Sequence, residues 1–284
     1  MSPAELESLV GLVRGARGDR AVDADVAASA VWTVLAEPGD GLAGRVIAAF
    51  GSAEALRALE SDAAPEMVEA GEWVAARGRW MPRLRRADIE RTLERAAQVG
   101  AVLITPGDDE WPARVDDLGE HAPFALWVRG DPGALASGRA LAIVGARAAT
   151  GYGEHVAAEI AAAVAADGTT IVSGAAYGID GAAHRGALAA GGTTIALLAG
   201  GVDRAYPSGH ARLLGDITAR GAVISETPCG TAPTKRRFLA RNRTIAALGD
   251  ATVVVEAGWR SGSLNTAAHA AALGRPLGAV PGPV

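Results

Sequence analysis

From residue 139 the chain repeats one unit, and that repetition restricts its fold more than any other feature. Short apolar, β-branched runs at 140–144, 170–173, 193–198, 222–225, 251–256 and 276–280 alternate with alanine-rich stretches of helical spacing at 155–166, 182–190, 211–220, 242–248 and 266–273. A strand that is apolar at nearly every position has no face to give to water. It must be buried on both sides, and the intervening helices supply the cover. The predicted class is therefore α/β, with a mostly parallel sheet flanked by helices. Two shorter strands are expected upstream, at 101–105 and 125–129, on either side of a turn-rich stretch at 106–112. Sites in such sheets lie beyond the carboxyl ends of the strands.

The first 75 or so residues read differently. Helical spacing of apolar residues predicts helices at 4–14, 21–35, 42–50, 53–59 and 65–77, broken at 37–41 and 51–52. The segment 38–45, Pro-Gly-Asp-Gly-Leu-Ala-Gly-Arg, resembles a helix-hairpin-helix turn, which either presents backbone N–H groups to a DNA phosphate or simply connects helices. Residues 77–86, with five arginines, read as a basic linker before a helix at 87–99. The expected division is a small all-helical part with its linker over 1–85, SAM/helix-hairpin-helix-like, and the α/β part over 86–284.

Four strand-to-helix loops carry the candidate chemistry. After the strand at 140–144, Gly145 allows close backbone approach and Arg147 offers a guanidinium to a phosphate. The spacing is not G-x-G-x-x-G, and the second strand ends at Ser173-Gly174 with no acid placed to hold a ribose, which argues against a dinucleotide oxidoreductase. Asp180 and His184, four residues apart, invite a catalytic-pair reading, but with no nucleophile or second base near them in sequence they read as a helix cap and an internal hydrogen bond. In the third loop Gly200-Gly201 permits tight backbone, and Asp203, Arg204 and Tyr206 either bound a pocket or order a long loop. In the fourth, Ser261, Gly262 and Ser263 open a helix and point N–H groups at an anion.

Residues 234–244 add a cationic island. Lys235, Arg236, Arg237, Arg241 and Arg243 surround Phe238, with no acid between Glu226 and Asp250. The formal net charge is −5 and Lys235 is the sole lysine, so any polyanion contact must be local. A charge run is ordinarily a solvated helix face. An aromatic between cations also suits single-stranded nucleic acid, where bases stack and phosphates pair. Phe238 has two open fates, stacking on a base or packing inward.

The remaining composition excludes several classes. Cys229 is the only cysteine, so neither a disulfide framework nor a cysteine metal cluster is expected. The first seven residues lack the basic and apolar regions of a signal peptide, and no apolar run approaches the roughly 20 residues of a membrane span. The expectation is a cytoplasmic protein with no membrane contact and no cofactor.

Taken in order, Val144-Gly-Ala-Arg147, the run from Ser173 to His184, Ala199-Gly-Gly-Val-Asp203 with Tyr206-Pro207, Ser225-Glu226, Phe238 with Arg241-Asn-Arg243, Val255-Glu-Ala257, Ser261-Gly-Ser-Leu264 and Val280-Pro-Gly282 closely resemble the DprA/Smf family. Trp111-Pro112 and Trp127-Val-Arg-Gly-Asp131 add to the likeness, which is strong over about 100–284 and loose over the N-terminal helices. The resemblance implies an extended Rossmann-like domain that binds single-stranded DNA, loads the recombinase RecA in natural transformation and forms a homodimer, without catalytic residues. Carried over by position, it implies a DNA pocket of Arg147, Ser173, Gly174, Lys235, Phe238, Arg241, Asn242, Arg243, Ser261, Gly262 and Ser263. Gly145 and Arg236 join that set from their loop and island. Two departures stand out. Leu239 replaces a usual proline, and family members usually run on past the position of Val284, often into a winged-helix domain. The alternative is a nucleotide-processing enzyme related to phosphoribohydrolases of the Lonely Guy type. Those carry a catalytic glutamate where this chain has Thr266, which cannot act as a general base there.

Overall fold

Strands β1 (Val102–Ile104), β2 (Leu126–Gly130), β3 (Ala140–Val144), β4 (Thr170–Ser173), β5 (Thr194–Leu197), β6 (Ala222–Ser225), β7 (Ala251–Val254) and β8 (Leu277–Ala279) join in one sheet, in the order β1-β2-β6-β5-β4-β3-β7-β8. The computed structural model describes residues 3–282 except 19, 137 and 260. Met1, Ser2, Pro283 and Val284, at the ends discussed above, lie outside the described residues. From β6 to β8 every pairing is parallel; β2 runs antiparallel to β6, and β1 antiparallel to β2. The expected α/β class and mostly parallel sheet are observed.

Alternation of side chains along each strand assigns the two faces. Ile143 and Ile171 pack with alanines of α7 (Gly151–Ala166) and α8 (Ile179–Ala189). Ala142, Val144 and Val172 point the other way, into a core with Ile245, Ala247 and Leu248 of α10 (Lys235–Leu248). Helix α9 (Ala211–Arg220) buries Leu213, Leu214 and Ile217 near the β6 side, and α11 (Gly262–Ala272) packs on α10. Strand order reverses between β3 and β7, so the loops leaving those two strands diverge and open a crevice at the carboxyl edge.

The N-terminal helices are α1 (Pro3–Gly15), α2 (Ala24–Leu35), α3 (Gly41–Phe50), α4 (Ser52–Ala58), α5 (Ala70–Trp80) and α6 (Arg86–Gln98). Trp32, Trp73 and Trp80 are fully buried; Trp80 meets Trp32 at 5.2 Å and Trp73 at 6.1 Å, both edge to face. Such pairs contribute about 0.5–1.5 kcal/mol beyond their buried area. The same apolar cluster continues through Trp127 to Ala196, Leu198 and Val223 of the sheet.

Three local expectations change. The stretch 77–86 is not an extended linker: α5 runs to Trp80, a 3-10 turn covers Met81–Arg83, and α6 begins at Arg86. The buried Trp80 holds it in place. The helix predicted at 65–77 is shifted to Ala70–Trp80, behind a turn that starts at Pro65. The helix predicted at 242–248 starts seven residues earlier, because the Thr234 side chain caps it by accepting the N–H of Arg237.

The turn at 38–45 is packed against protein. A Cβ on Gly44 would lie 1.9 Å from the Glu120 carbonyl, and one on Gly39 would lie 2.9 Å from the Arg243 guanidinium. The Gly39 carbonyl itself pairs with the His121 ring at 3.0 Å. In this turn the glycines serve helix packing.

Candidate nucleic-acid interface

Helix geometry divides the cationic island. Positions three or four apart share a face, so Lys235, Phe238, Arg241, Asn242 and Ile245 line one cleft at the carboxyl edge of the sheet. Gly145 and Arg147 from the β3 loop, and Ser261, Gly262 and Ser263 from the β7 loop, line it from the other side. The cleft holds about 860 Å³ and lies at the reversal of strand order. Arg236 is exposed but does not line it. Arg237 turns away to Glu37, with two N···O distances of 2.8 and 2.9 Å. Arg243 is buried and donates to both oxygens of Glu226, at 2.9 and 2.6 Å. It also donates to the His121 carbonyl at 2.9 Å, so its guanidinium is spent inside the protein.

Phe238 is the centre of the remaining set. The Arg147 guanidinium carbon lies over its ring at 4.9 Å and that of Arg241 at 5.8 Å. The Tyr206 ring is tilted against it at 5.4 Å. Phe238 is half-buried, while Arg147, Tyr206 and Lys235 are exposed. Tyr206 stood undecided between pocket wall and loop anchor; here it borders the cleft. A smaller hollow of about 110 Å³ continues between Gly174, Tyr177, Tyr206 and Phe238.

Arg241 forms part of the floor. It donates to the Leu197 carbonyl at 2.7 Å and is only 6% exposed. Burial lowers its pKa to about 10, with attraction to Asp180 opposing and repulsion from Arg147 assisting, so it stays charged at neutral pH. Gly174 makes room for it, since a Cβ there would lie 1.8 Å from Arg241 Nη1. Ser173 is fully buried and donates to the Ile143 carbonyl at 2.6 Å. Ser173 and Gly174 thus support the floor from below, and Arg241 meets the cleft above them.

Two loops that looked built for phosphate are filled by the protein's own carboxylates. At the start of α7, Glu256 accepts from the N–H and hydroxyl of Thr150, at 3.0 and 3.2 Å. Asp180, expected to cap α8, lies inside that helix, whose cap position Gly178 has no side-chain bond; one of its oxygens accepts instead the loop N–H groups of Gly174 and Ala176, at 3.1 and 3.4 Å. Burial raises the Asp180 pKa, against the pull of Arg241 and these amides. A dinucleotide diphosphate needs the helix terminus that Glu256 occupies. Gly145 allows this packing, because a Cβ there would lie 2.5 Å from Ile179 and 2.9 Å from the Glu256 carbonyl.

The β7 loop stays open to the cleft. The Ser261 hydroxyl caps α11 by accepting Ser263 N–H, and the two hydroxyls lie 2.6 Å apart. The Asn242 amide donates to the Gly262 carbonyl at 3.1 Å and to Asn265 at 3.3 Å, tying α10 to α11. Trp259, between cleft-lining Gly258 and Ser261, is 100% exposed. It was not singled out from sequence; a tryptophan in a Gly/Ser turn is the only signal that marks it.

His184 and Asp180 do not touch as a catalytic pair. The Thr194 hydroxyl donates to the Ile171 carbonyl, so the His184 ring must donate to it from Nδ1 at 2.7 Å, leaving Nε2 bare and buried. Among the described residues no cluster of three or more metal-ligating side chains occurs, and no helix is long and apolar enough to cross a membrane.

A mostly parallel sheet with a cationic, aromatic-bearing cleft at its switch point defines an α/β protein of extended Rossmann-like architecture. Within that class the chain belongs to the DNA recombination-mediator protein A family, DprA/Smf, whose family model matches residues 102–284. It is 52% identical over 215 residues to the putative DNA processing protein DprA of Mycobacterium tuberculosis, covering 70% of this chain and 55% of that one. It is 40% identical over 200 residues to protein Smf of Escherichia coli, covering 70% and 53%. The chain thus spans about half the length of these curated relatives. DprA of Streptococcus pneumoniae superposes with a TM-score of 0.65 at 31% identity, over 77% of this chain and 73% of that one. DprA of Helicobacter pylori, solved for its unique single-stranded DNA binding mode, superposes with a TM-score of 0.59 at 32% identity, over 64% and 82%.

Proposed function

We propose that the cleft between the β3 loop, the β7 loop and α10 binds single-stranded DNA. The observation that carries the reading is Phe238, held between Arg147, Arg241 and Tyr206 beside Lys235 at the switch point of the sheet. An aromatic ring at the mouth of a cleft takes an unstacked base, and the surrounding cations take its phosphates. A base inside a duplex cannot reach the ring without unpairing, so the site favours single strands. The residue set for contact is Gly145, Arg147, Lys235, Phe238, Arg241, Asn242, Ser261, Gly262 and Ser263, with Arg236 exposed beside the cleft and Ser173, Gly174 and Arg243 shaping it from behind.

In the cell this chain acts as a cytoplasmic, homodimeric recombination mediator that loads RecA on incoming strands during natural transformation. Residues 86–284 form the DNA-binding part and residues 1–85 a helical appendage. It works without catalysis. Asp180 is the carboxylate that lines the cleft, and one of its oxygens is engaged by loop amides. Thr266 stands where a phosphoribohydrolase needs its glutamate. Fluorescence anisotropy with labelled single- and double-stranded oligonucleotides tests the binding. Preference for the single strand is expected; equal affinity for the duplex, or no binding, overturns the reading. Free base released from nucleoside monophosphates, and lost in a Lys235 variant, would establish the enzyme instead.

A further inference from the structure

Between residues 77 and 95 the chain carries seven arginines against three acids, and the cleft described above uses none of them. The fold gathers three of them, Arg83, Arg91 and Arg95, with Arg237 of α10 around a second cleft of about 230 Å³. It lies where α2, α6 and the segment 227–231 meet.

The charges facing this hollow do not balance. Glu37 alone serves two guanidinium groups, Arg83 at 2.9 Å and Arg237 at 2.8 Å. Asp88 pairs with Arg91 at 3.0 Å on the exposed surface, where such a pair contributes little. Arg95 is exposed and has no carboxylate within ion-pair distance among the described residues. Asp203, behind the segment, is committed to the Gly230 N–H at 2.9 Å. Four cations therefore face two anions. A purely structural junction would pair each guanidinium, because an unmatched like-charge cluster is repulsive. No aromatic side chain lines the hollow, so it suits phosphate rather than bases.

The two clefts share a wall. Pro233, Thr234 and Lys235 face the first, whereas Thr231 and Arg237, only a few residues away, face the second. A strand leaving the first cleft past Lys235 meets the second after rounding the N-terminal turn of α10.

We propose that the Arg83–Arg91–Arg95–Arg237 cleft is a second anion site that holds the phosphodiester backbone of the same single strand, outside the stacking site. The proposal rests on the strand occupying the first cleft. It makes the N-terminal helices a sequence-independent extension of the DNA track, with guanidinium groups as the recognition element.

Oligothymidylates of about 5 and about 20 nucleotides separate the two sites, since a single stacking site spans only a handful of bases. In the Arg91→Ala/Arg95→Ala protein, checked for an unchanged melting curve, affinity for the long strand should fall about five- to tenfold and its salt slope should flatten by about 1.4, with short-strand binding unchanged. Arg91→Lys/Arg95→Lys should restore the slope, because the charges return. Undiminished long-strand binding, or equal loss at both lengths, overturns the second site. A Lys235→Ala/Phe238→Ala protein should lose both lengths. If the wild-type protein binds neither length, the first-cleft reading fails and the extension with it.

Discussion

Arg243 and Glu226 form a buried, two-point ion pair, with N···O distances of 2.6 and 2.9 Å and less than a tenth of either side chain exposed. Two residues earlier on the same helix, Arg241 borders the cleft instead. One helix thus sends one arginine into a buried ion pair and its neighbour to the cleft, and the two should respond differently to substitution.

Arg243→Ala leaves Glu226 buried without its partner. Stability should fall by about 3–5 kcal/mol, read as a shift in the urea midpoint, with the salt slope of DNA binding by the folded protein unchanged. A flattened slope at unaltered stability would move Arg243 into the contact set.

Lys235→Ala and Arg147→Ala, both at exposed positions, should leave the urea midpoint in place. Each should flatten the dependence of log affinity on log salt by about 0.7 for single strands. A pair of salt titrations indistinguishable from wild type would remove both from the track.

Phe238→Ala should weaken single-strand binding by about 1–3 kcal/mol if its ring takes a base. Phe238→Tyr, which keeps the stacking face, should recover most of that loss. Wild-type affinity in the alanine variant would assign the ring to packing against Tyr206.

Trp259 is the one fully exposed tryptophan; the other five are at most 8% exposed. Its emission should therefore be separable from theirs and should change on adding oligothymidylate, because it sits between two cleft-lining residues. Trp259→Phe should abolish that change. Its persistence in the variant would trace it to a buried ring and a shift in the core.

Burial lowers the His184 pKa to about 3, with charge from His210, Arg185 and Arg241 acting in the same direction. The unfolded chain, with the ordinary value of 6.5, therefore binds more protons between these limits. Stability from this group is complete above pH 6.5 and is lost on acidification, by about 1.4 kcal/mol per pH unit, until the folded ring itself protonates near pH 3. Urea unfolding at pH 6, 5 and 4 should approach that slope (roughly a tenfold change in the folding constant per unit), and His184→Gln should flatten it. An unchanged slope would assign the acid sensitivity elsewhere.

Much of this protein was legible in its residues. Strands that are apolar at successive positions, such as Ile171-Val172, have no wet face, so burial on both sides and a helix-covered parallel sheet followed directly. The family motifs marked the loops after β3, β4 and β7; in the first two, Gly145 and Gly178 meet backbone that approaches too closely for a Cβ. What tertiary structure decided was the fate of each charge. Lys235, Arg237, Arg241 and Arg243 are alike in sequence. The start of α10 at Thr234 rotates them onto different faces, and Glu37 and Glu226 come from distant segments to claim two of them. The same holds for Glu256, which fills the start of α7, and for Asp180, which takes amides of the loop before α8, at turns that glycine had suggested for phosphate. Periodicity and backbone permissiveness are local properties and can be read along the chain. Whether a cation faces solvent or a carboxylate depends on which residues the fold brings within a few ångströms, and only the folded molecule sets that distance.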